Sequence, residues 1–215
     1  GTLTFWGQAG SGVVGSFDDR TPNAYEESWT GGDSPNQGHS ASNMFYYTNS
    51  LDVATLHASY TPQNAGASAS SEFGIVINAV DNLELYAALG TDNGNGGAAV
   101  DNTILGAKYT MGGATIGIQS NEADSEATNG DEEFTAWSIS YAVSEDLSIS
   151  YNSSTLDYET ASTEDQDSTG ISASYTMGSM TLAGVVNSIN NQGPGATGNT
   201  DTNADTYEIN LSFAF

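Results

Sequence analysis

Tyr207-Glu208-Ile209-Asn210-Leu211-Ser212-Phe213-Ala214-Phe215, the end of the 215-residue chain, changes character at every step. Successive side chains of a β-strand point to opposite sides, so Tyr207, Ile209, Leu211, Phe213 and Phe215 share one face and Glu208, Asn210, Ser212 and Ala214 the other. A helix would scatter these residues around its circumference. The segment is therefore a strand with one apolar and one polar face.

The same alternation recurs along the chain. Trp137, Ile139, Tyr141 and Val143 oppose Ser138, Ser140 and Ala142, and Ile171, Ala173, Tyr175 and Met177 oppose Ser172, Ser174 and Thr176. The pattern predicts twelve strands, over 1–8, 42–48, 51–61, 72–80, 83–91, 102–111, 114–122, 134–143, 147–158, 168–177, 180–190 and 205–215. Short connections fall at Asn49-Ser50, Asp81-Asn82, Gly112-Gly113, Ser144 to Asp146 and Gly178-Ser179, residues suited to tight hairpins. Long polar ones fall at 62–71, 92–101, 123–133, 159–167 and 191–204. Short and long alternate, as in bacterial outer-membrane barrels, where short turns lie on the periplasmic side and longer loops outside. A soluble sandwich has no reason to keep that rule.

Composition narrows the function classes. Acidic residues number 27 and basic residues two, Arg20 and Lys108, for a formal charge of −25. Nucleic acid is excluded as a partner, because phosphate contacts need clustered Lys and Arg. The lack of cysteine excludes disulfides, thiolate metal sites and a cysteine nucleophile. No Gly-x-Ser-x-Gly elbow and no phosphate loop followed by Lys is present, so no enzyme is indicated. No apolar stretch reaches the roughly 18 residues of a helical span. The chain opens at Gly1-Thr2-Leu3 in strand-like sequence without a charged leader, which reads as a processed or incomplete start.

Alternation does not say what covers the apolar face. In a sandwich it is the core; in a membrane barrel it meets lipid while the polar face lines the lumen. Tyr47, Tyr109, Tyr141 and Tyr175 each stand just before a short turn, as an aromatic girdle at a membrane interface would require, although strand propensity also favours tyrosine. The polar face is Ser, Thr, Asn, Gly and Ala in strand after strand, with little of the Lys and Glu of a solvated sheet. The competing reading is an extracellular, calcium-dependent β-sandwich adhesin or surface-layer structural protein.

Two turns, Tyr109-Thr-Met-Gly-Gly113 and Tyr175-Thr-Met-Gly-Ser179, and the terminal strand ending in Phe215 carry a family resemblance over essentially the whole chain. It resembles the general porins of Gram-negative bacteria, of α-proteobacterial and marine type. The resemblance implies an all-β transmembrane antiparallel barrel in the outer membrane, homotrimeric, with sixteen strands. Residues 1–215 are then one porin domain covering strands five to sixteen. A self-contained twelve-stranded barrel and a barrel completed by a separate chain are the alternatives. Phe215 resembles the signal read by the outer-membrane assembly machinery.

The resemblance also implies that the long connection 9–41 folds inward as the constriction loop of a channel passing small hydrophilic solutes and ions. That loop carries Asp18, Asp19, Arg20, Glu26, Glu27 and Asp33, a net negative set that predicts cation preference unless the acids merely solvate a surface loop. Strand parity points Glu84, Lys108 and His57 to the polar side, His57 as a wall residue rather than a ligand. Asp124, Glu126, Asp131, Glu132 and Glu133 cluster in an outer loop. They suggest a weak Ca2+ site or a bridge to lipopolysaccharide beside the membrane lipid, but lack EF-hand spacing and read more simply as a solvated acidic surface.

Overall fold

The computed structural model describes residues 1–33, 40–63, 68–93, 98–160, 163–192 and 202–214. Its strands are β1 (Thr2–Trp6), β2 (Gly10–Ser11), β3 (Ser40–Ala41), β4 (Met44–Ser50), β5 (Ala54–Thr61), β6 (Ser70–Val80), β7 (Leu83–Asp92), β8 (Val100–Met111), β9 (Ala114–Ser125), β10 (Glu132–Ala142), β11 (Leu147–Tyr158), β12 (Gln166–Met177), β13 (Met180–Asn190) and β14 (Ala204–Phe213). Twelve of them pair antiparallel in chain order, with β1 and β14 at the ends of the order. The other two, β2 and β3, pair with each other inside the long connection, where no strand was expected. One 3-10 turn, Val14–Ser16, lies in the same connection.

Several boundaries differ from the periodicity reading. The first strand ends at Trp6, and Asn49-Ser50 is not a turn: β4 runs through Ser50 and the chain reverses over 51–53, with Leu51 N–H donating to Ala54 C=O at 2.7 Å. At the ends near the long loops, β6, β9, β10 and β12 run two to three residues further than expected. Asp124, Glu132 and Glu133 therefore lie on strands rather than in a loop. There both faces are polar, so alternation fades before hydrogen bonding does. Strand β14 ends at Phe213, and Phe215 lies outside the described residues.

The repeated turns have a common structure. Gly112 and Gly178 take φ of 61° and 60°, a region that a side chain disfavours, and each hairpin closes on a pair of hydroxyls, Thr110–Thr115 at 3.0 Å and Thr176–Thr181 at 3.1 Å.

By contacts the chain divides into two compact units: Gly1–Arg20, Pro35–Ala107 and Gln119–Glu133, and Thr21–Ser34, Lys108–Ile118 and Phe134–Phe215. Both are inside out by the standards of a water-soluble protein. In the first, Ser59, Glu72, Asn102 and Gln119 are buried while Leu3, Phe73, Leu89 and Leu105 are exposed. In the second, Ser150, Asn152, Ser168, Ser172 and Asn187 are buried while Ile171, Leu182, Val186 and Ile209 are exposed. A sandwich would bury that apolar face, so this arrangement overturns the adhesin reading. Burying one such side chain contributes about 1.5–3 kcal/mol, so leaving that face in water is costly. Among the described residues no helix is long and apolar enough to cross a membrane.

Candidate functional site

The buried polar face is covered by the connection after β1, and each unit holds its own part of that connection. In the first unit, Val13, Val14 and Phe17 fill an apolar island among Val76, Tyr86, Ala88 and Ile104. Gly74 makes room for them, since a Cβ there would stand 2.6 Å from Val13 Cγ1. The backbone is pinned by wall side chains. Val13 N–H donates to Ser59 Oγ at 3.1 Å and Val14 N–H to Glu72 Oε2 at 3.1 Å, while Ser59 Oγ donates to the same carboxylate at 2.9 Å. Glu72 can be 1% exposed because it takes up donors at the start of the 3-10 turn. His57 stands edge-on to Phe17 with ring centres 5.2 Å apart, its Nδ1 3.0 Å from Tyr46 Oη.

Arg20 makes several contacts in this part. Its Nη2 lies 3.0 Å from Glu84 Oε1, and its guanidinium carbon stands 4.9 Å from the Phe17 ring centre and 5.2 Å from that of Tyr86. Its backbone N–H donates to Gln119 Oε1 at 3.2 Å; Gln119 also accepts from Tyr86 Oη at 2.7 Å and donates to the Asp18 carbonyl. Burial, and then the neighbouring Asp19 carboxylate, push the Asp18 carboxyl up to about 7. Asp19 itself is exposed.

In the second unit the chain runs along rungs of the polar face. Ser150, Ser172, Val185 and Glu208 are paired in register across β11 to β14. Ala24 N–H donates to Ser150 Oγ at 3.0 Å, Tyr25 N–H to Ser172 Oγ at 3.1 Å, and Tyr25 Oη to Glu208. One rung nearer the long loops, Gly170 lies between Asn152 and Asn187, and a Cβ on it would stand 3.0 Å from Ser28 Cα. Asn187 Nδ2 donates to the Glu27 carbonyl at 3.1 Å. Beyond that, Trp29 packs edge-on against Phe134 with ring centres 5.0 Å apart, and Gln166 bridges Asp33, accepting from its N–H and donating to its C=O, both at 2.9 Å.

The predicted residues thus sort into groups. Asp33 accepts from Tyr158 Oη at 3.0 Å, and Glu27, nearly buried, accepts from Asn23. Both are engaged in holding the segment. Asp19 is exposed and Glu26 half-exposed. Lys108 lies on the polar side near Pro22, both side chains coming close to Gly117. Tyr47, Tyr109, Tyr141 and Tyr175 are all exposed on the apolar face. Asp124, Glu126, Asp131, Glu132 and Glu133 do not gather as metal ligands: among the described residues no three His, Cys, Asp or Glu side chains do, and Asp131 instead accepts from Ser125 N–H at 2.8 Å. The periodicity reading missed Glu72, Gln119, Gln166, Tyr25 and Glu208 as residues that hold the connection. Parity already put Glu208 on the polar face, but the partner across from it could not be read.

A family model described as Gram-negative porin matches residues 2–215. Among solved structures, OmpT, an outer membrane protein of Vibrio cholerae, is 14% identical with a TM-score of 0.70, covering 98% of this chain and 75% of that one. A mutant of the Rh. blastica porin is 19% identical with a TM-score of 0.68, covering 99% and 73%. An anion-selective porin from Comamonas acidovorans is 14% identical with a TM-score of 0.70, covering 90% and 66%. Comparison with curated protein sequences gave no match. With the family model spanning nearly every residue and an inside-out antiparallel sheet beneath it, this chain belongs to the Gram-negative porin family.

Proposed function

We propose that this chain lines a water-filled channel in the bacterial outer membrane through which small hydrophilic solutes and ions diffuse passively, with a preference for cations. The observation that carries this reading is the polar face with residues 9–33 folded onto it. In a channel, a segment held on the polar face in this way would narrow the hydrated path. No catalytic step is needed: a wet lumen conducts, and the charges along its narrow part select. Cation preference is supported by the acidic loop, where Asp19 is exposed and Glu26 half-exposed, and by Glu208 on the polar face of β14. A related structure, that of Vibrio cholerae OmpT, is described as a trimer form; a homotrimer in contact with lipid and lipopolysaccharide is the assembly we propose here.

The test is a planar bilayer holding the full native chain, purified in detergent, under a KCl gradient. Conductance steps in groups of three, with a reversal potential favouring K+ by roughly threefold or more, are expected. Steps favouring Cl− would sink the charge argument and keep the channel. No steps from folded protein would sink the channel.

The preference should also depend on pH. Asp18 holds its proton more tightly in the folded chain than in an unfolded one. The stability this contributes is complete below the ordinary carboxylate range, near pH 4, and is lost as pH rises through about 7. Negative charge appears on the loop over the same rise. Raising the pH from about 5.5 to about 8.5 is expected to strengthen K+ preference, and Asp18→Asn to flatten that dependence, read from reversal potentials.

A further inference from the structure

Glu208 stands at the end of the rung Ser150, Ser172, Val185 and Glu208, and the loop follows that rung. The two serine hydroxyls lie 2.6 Å apart and each accepts one loop N–H, from Ala24 and Tyr25. The loop backbone is thereby set crosswise to the strands at mid-length of β12. From there the Tyr25 side chain reaches past the Val185 position to Glu208. Two strand spacings are about 9.6 Å, a span that the Tyr25 and Glu208 side chains cover between them. Asn210, one step along the same face of β14, also lies within hydrogen-bonding reach of the phenol, and the contact with Glu208 pushes the Tyr25 phenol up to about 12. The phenol stays a donor at any physiological pH. Glu208 is exposed, and its nearby same-face side chains on β12 and β13, Ser172, Ser174, Ala183, Val185 and Asn187, carry no charge.

We propose that Glu208 is a selectivity-determining residue of the channel, its carboxylate fixed in place by Tyr25. This rests on the cation-preferring channel reading above. A carboxylate held beside the loop acts on a passing ion at a set distance from the narrow part, and the low-dielectric sheet behind it lessens screening. Tyr25 is a positioning residue here: it adds no charge but removes the carboxylate's freedom to fold away.

The experiment is single-channel recording of the full native chain in planar bilayers with a KCl gradient, comparing wild type with Glu208→Gln, Glu208→Asp and Tyr25→Phe. Glu208→Gln is expected to lower the K+/Cl− permeability ratio about threefold at about 0.1 M KCl, with the effect shrinking at about 1 M, where the screening length falls from about 10 Å to about 3 Å. The polymer size excluded from the pore should not change. Glu208→Asp is expected to keep the wild-type ratio, and Tyr25→Phe to keep its sign while open-channel noise rises. An unchanged ratio in Glu208→Gln overturns the proposal. So does a fall that comes with a wider size cut-off reproduced by Tyr25→Phe, since the residue would then act only by tying the loop. If wild type itself prefers Cl−, the cation reading fails, yet a further shift toward Cl− in Glu208→Gln still supports the role of Glu208.

Discussion

Arginine in place of Leu182 is expected to prevent stable assembly in a bilayer, while arginine in place of Ser174 is accepted. Leu182 pairs in register with Tyr175 and Leu211 on the exposed apolar face. Successive rows of that face, from Ile171 with Tyr151, Val186 and Tyr207 to Met177 with Met180, are apolar for roughly 20 Å along β12. Next comes Thr169 with Ser153 and Ser188, then Asp167 with Thr155 and Asn190. The chemical boundary is abrupt and falls at the same height on each strand. It marks one edge of the apolar band, and Leu182 lies in the third row from it, level with Tyr175 and one row short of Met177 and Met180. A guanidinium on a lipid-facing strand position costs about 2–4 kcal/mol at mid-depth and less toward the interfaces. That is a large part of a typical stability of about 5–15 kcal/mol. Ser174 is one residue away from Tyr175 but on the other face, opposite Ser148 and Ala183, where water can solvate the new charge. Folding into lipid vesicles, followed by the gel shift between unheated and boiled samples, separates the two. Equal losses in both variants would mean that the apolar face meets something other than lipid.

The contrast between these neighbours explains what the sequence could reveal. Period-two alternation decides which residues share a face, so the twelve paired strands and the hairpin turns at Gly112 and Gly178 were legible before any coordinates. Strand ends were not, because near the long loops Asp, Thr and Ser occupy both faces and hydrogen bonding continues where the pattern stops. The loop was legible as a length and a charge, but not as a set of contacts. Its acids looked alike in sequence, and only the structure separates Asp33, bound to Tyr158, from the exposed Asp19. The wall residues that hold the loop come from strands 46 to 183 positions away, as with Ser59 to Val13 and Glu208 to Tyr25. No local pattern encodes such pairings. The two apolar islands under Val13 and Trp29 were hidden for a related reason: Ile104 and Phe134 break the polar parity of their strands, and only the docked loop gives them a purpose.

Removing the charge of Arg20 is expected to loosen the loop and to alter the channel in two separable ways. Arg20 and Glu84 have side chains 24% and 23% exposed, so the pair is partly shielded but not sealed from water. Its net worth is nearer that of a favourable surface pair, at most about 1 kcal/mol, than of a buried one. Stacking on Phe17 and Tyr86 adds about 0.5–2 kcal/mol. Arg20→Met keeps the length of the side chain and loses both terms, leaving the Glu84 carboxylate without its cation. Single-channel conductance and flicker should rise as residues 9–20 detach more often, and K+ preference should increase because one positive charge has gone. Arg20→Lys separates the effects: it restores the charge but not the planar fork that lies against two rings, so selectivity should return while noise stays raised. Exchanging the pair, Arg20→Glu with Glu84→Arg, keeps the net charge and the ion pair but moves the guanidinium to the strand. If the exchange quiets the channel, the ion pair is the latch. If noise persists, the stacked slot between Phe17 and Tyr86 is what holds the loop. Should selectivity shift in Arg20→Met with no change in noise, Arg20 is only a lumen charge, and the anchoring falls to Glu72 and Gln119, whose bonds to Val14 and Arg20 run through the backbone and survive the substitution.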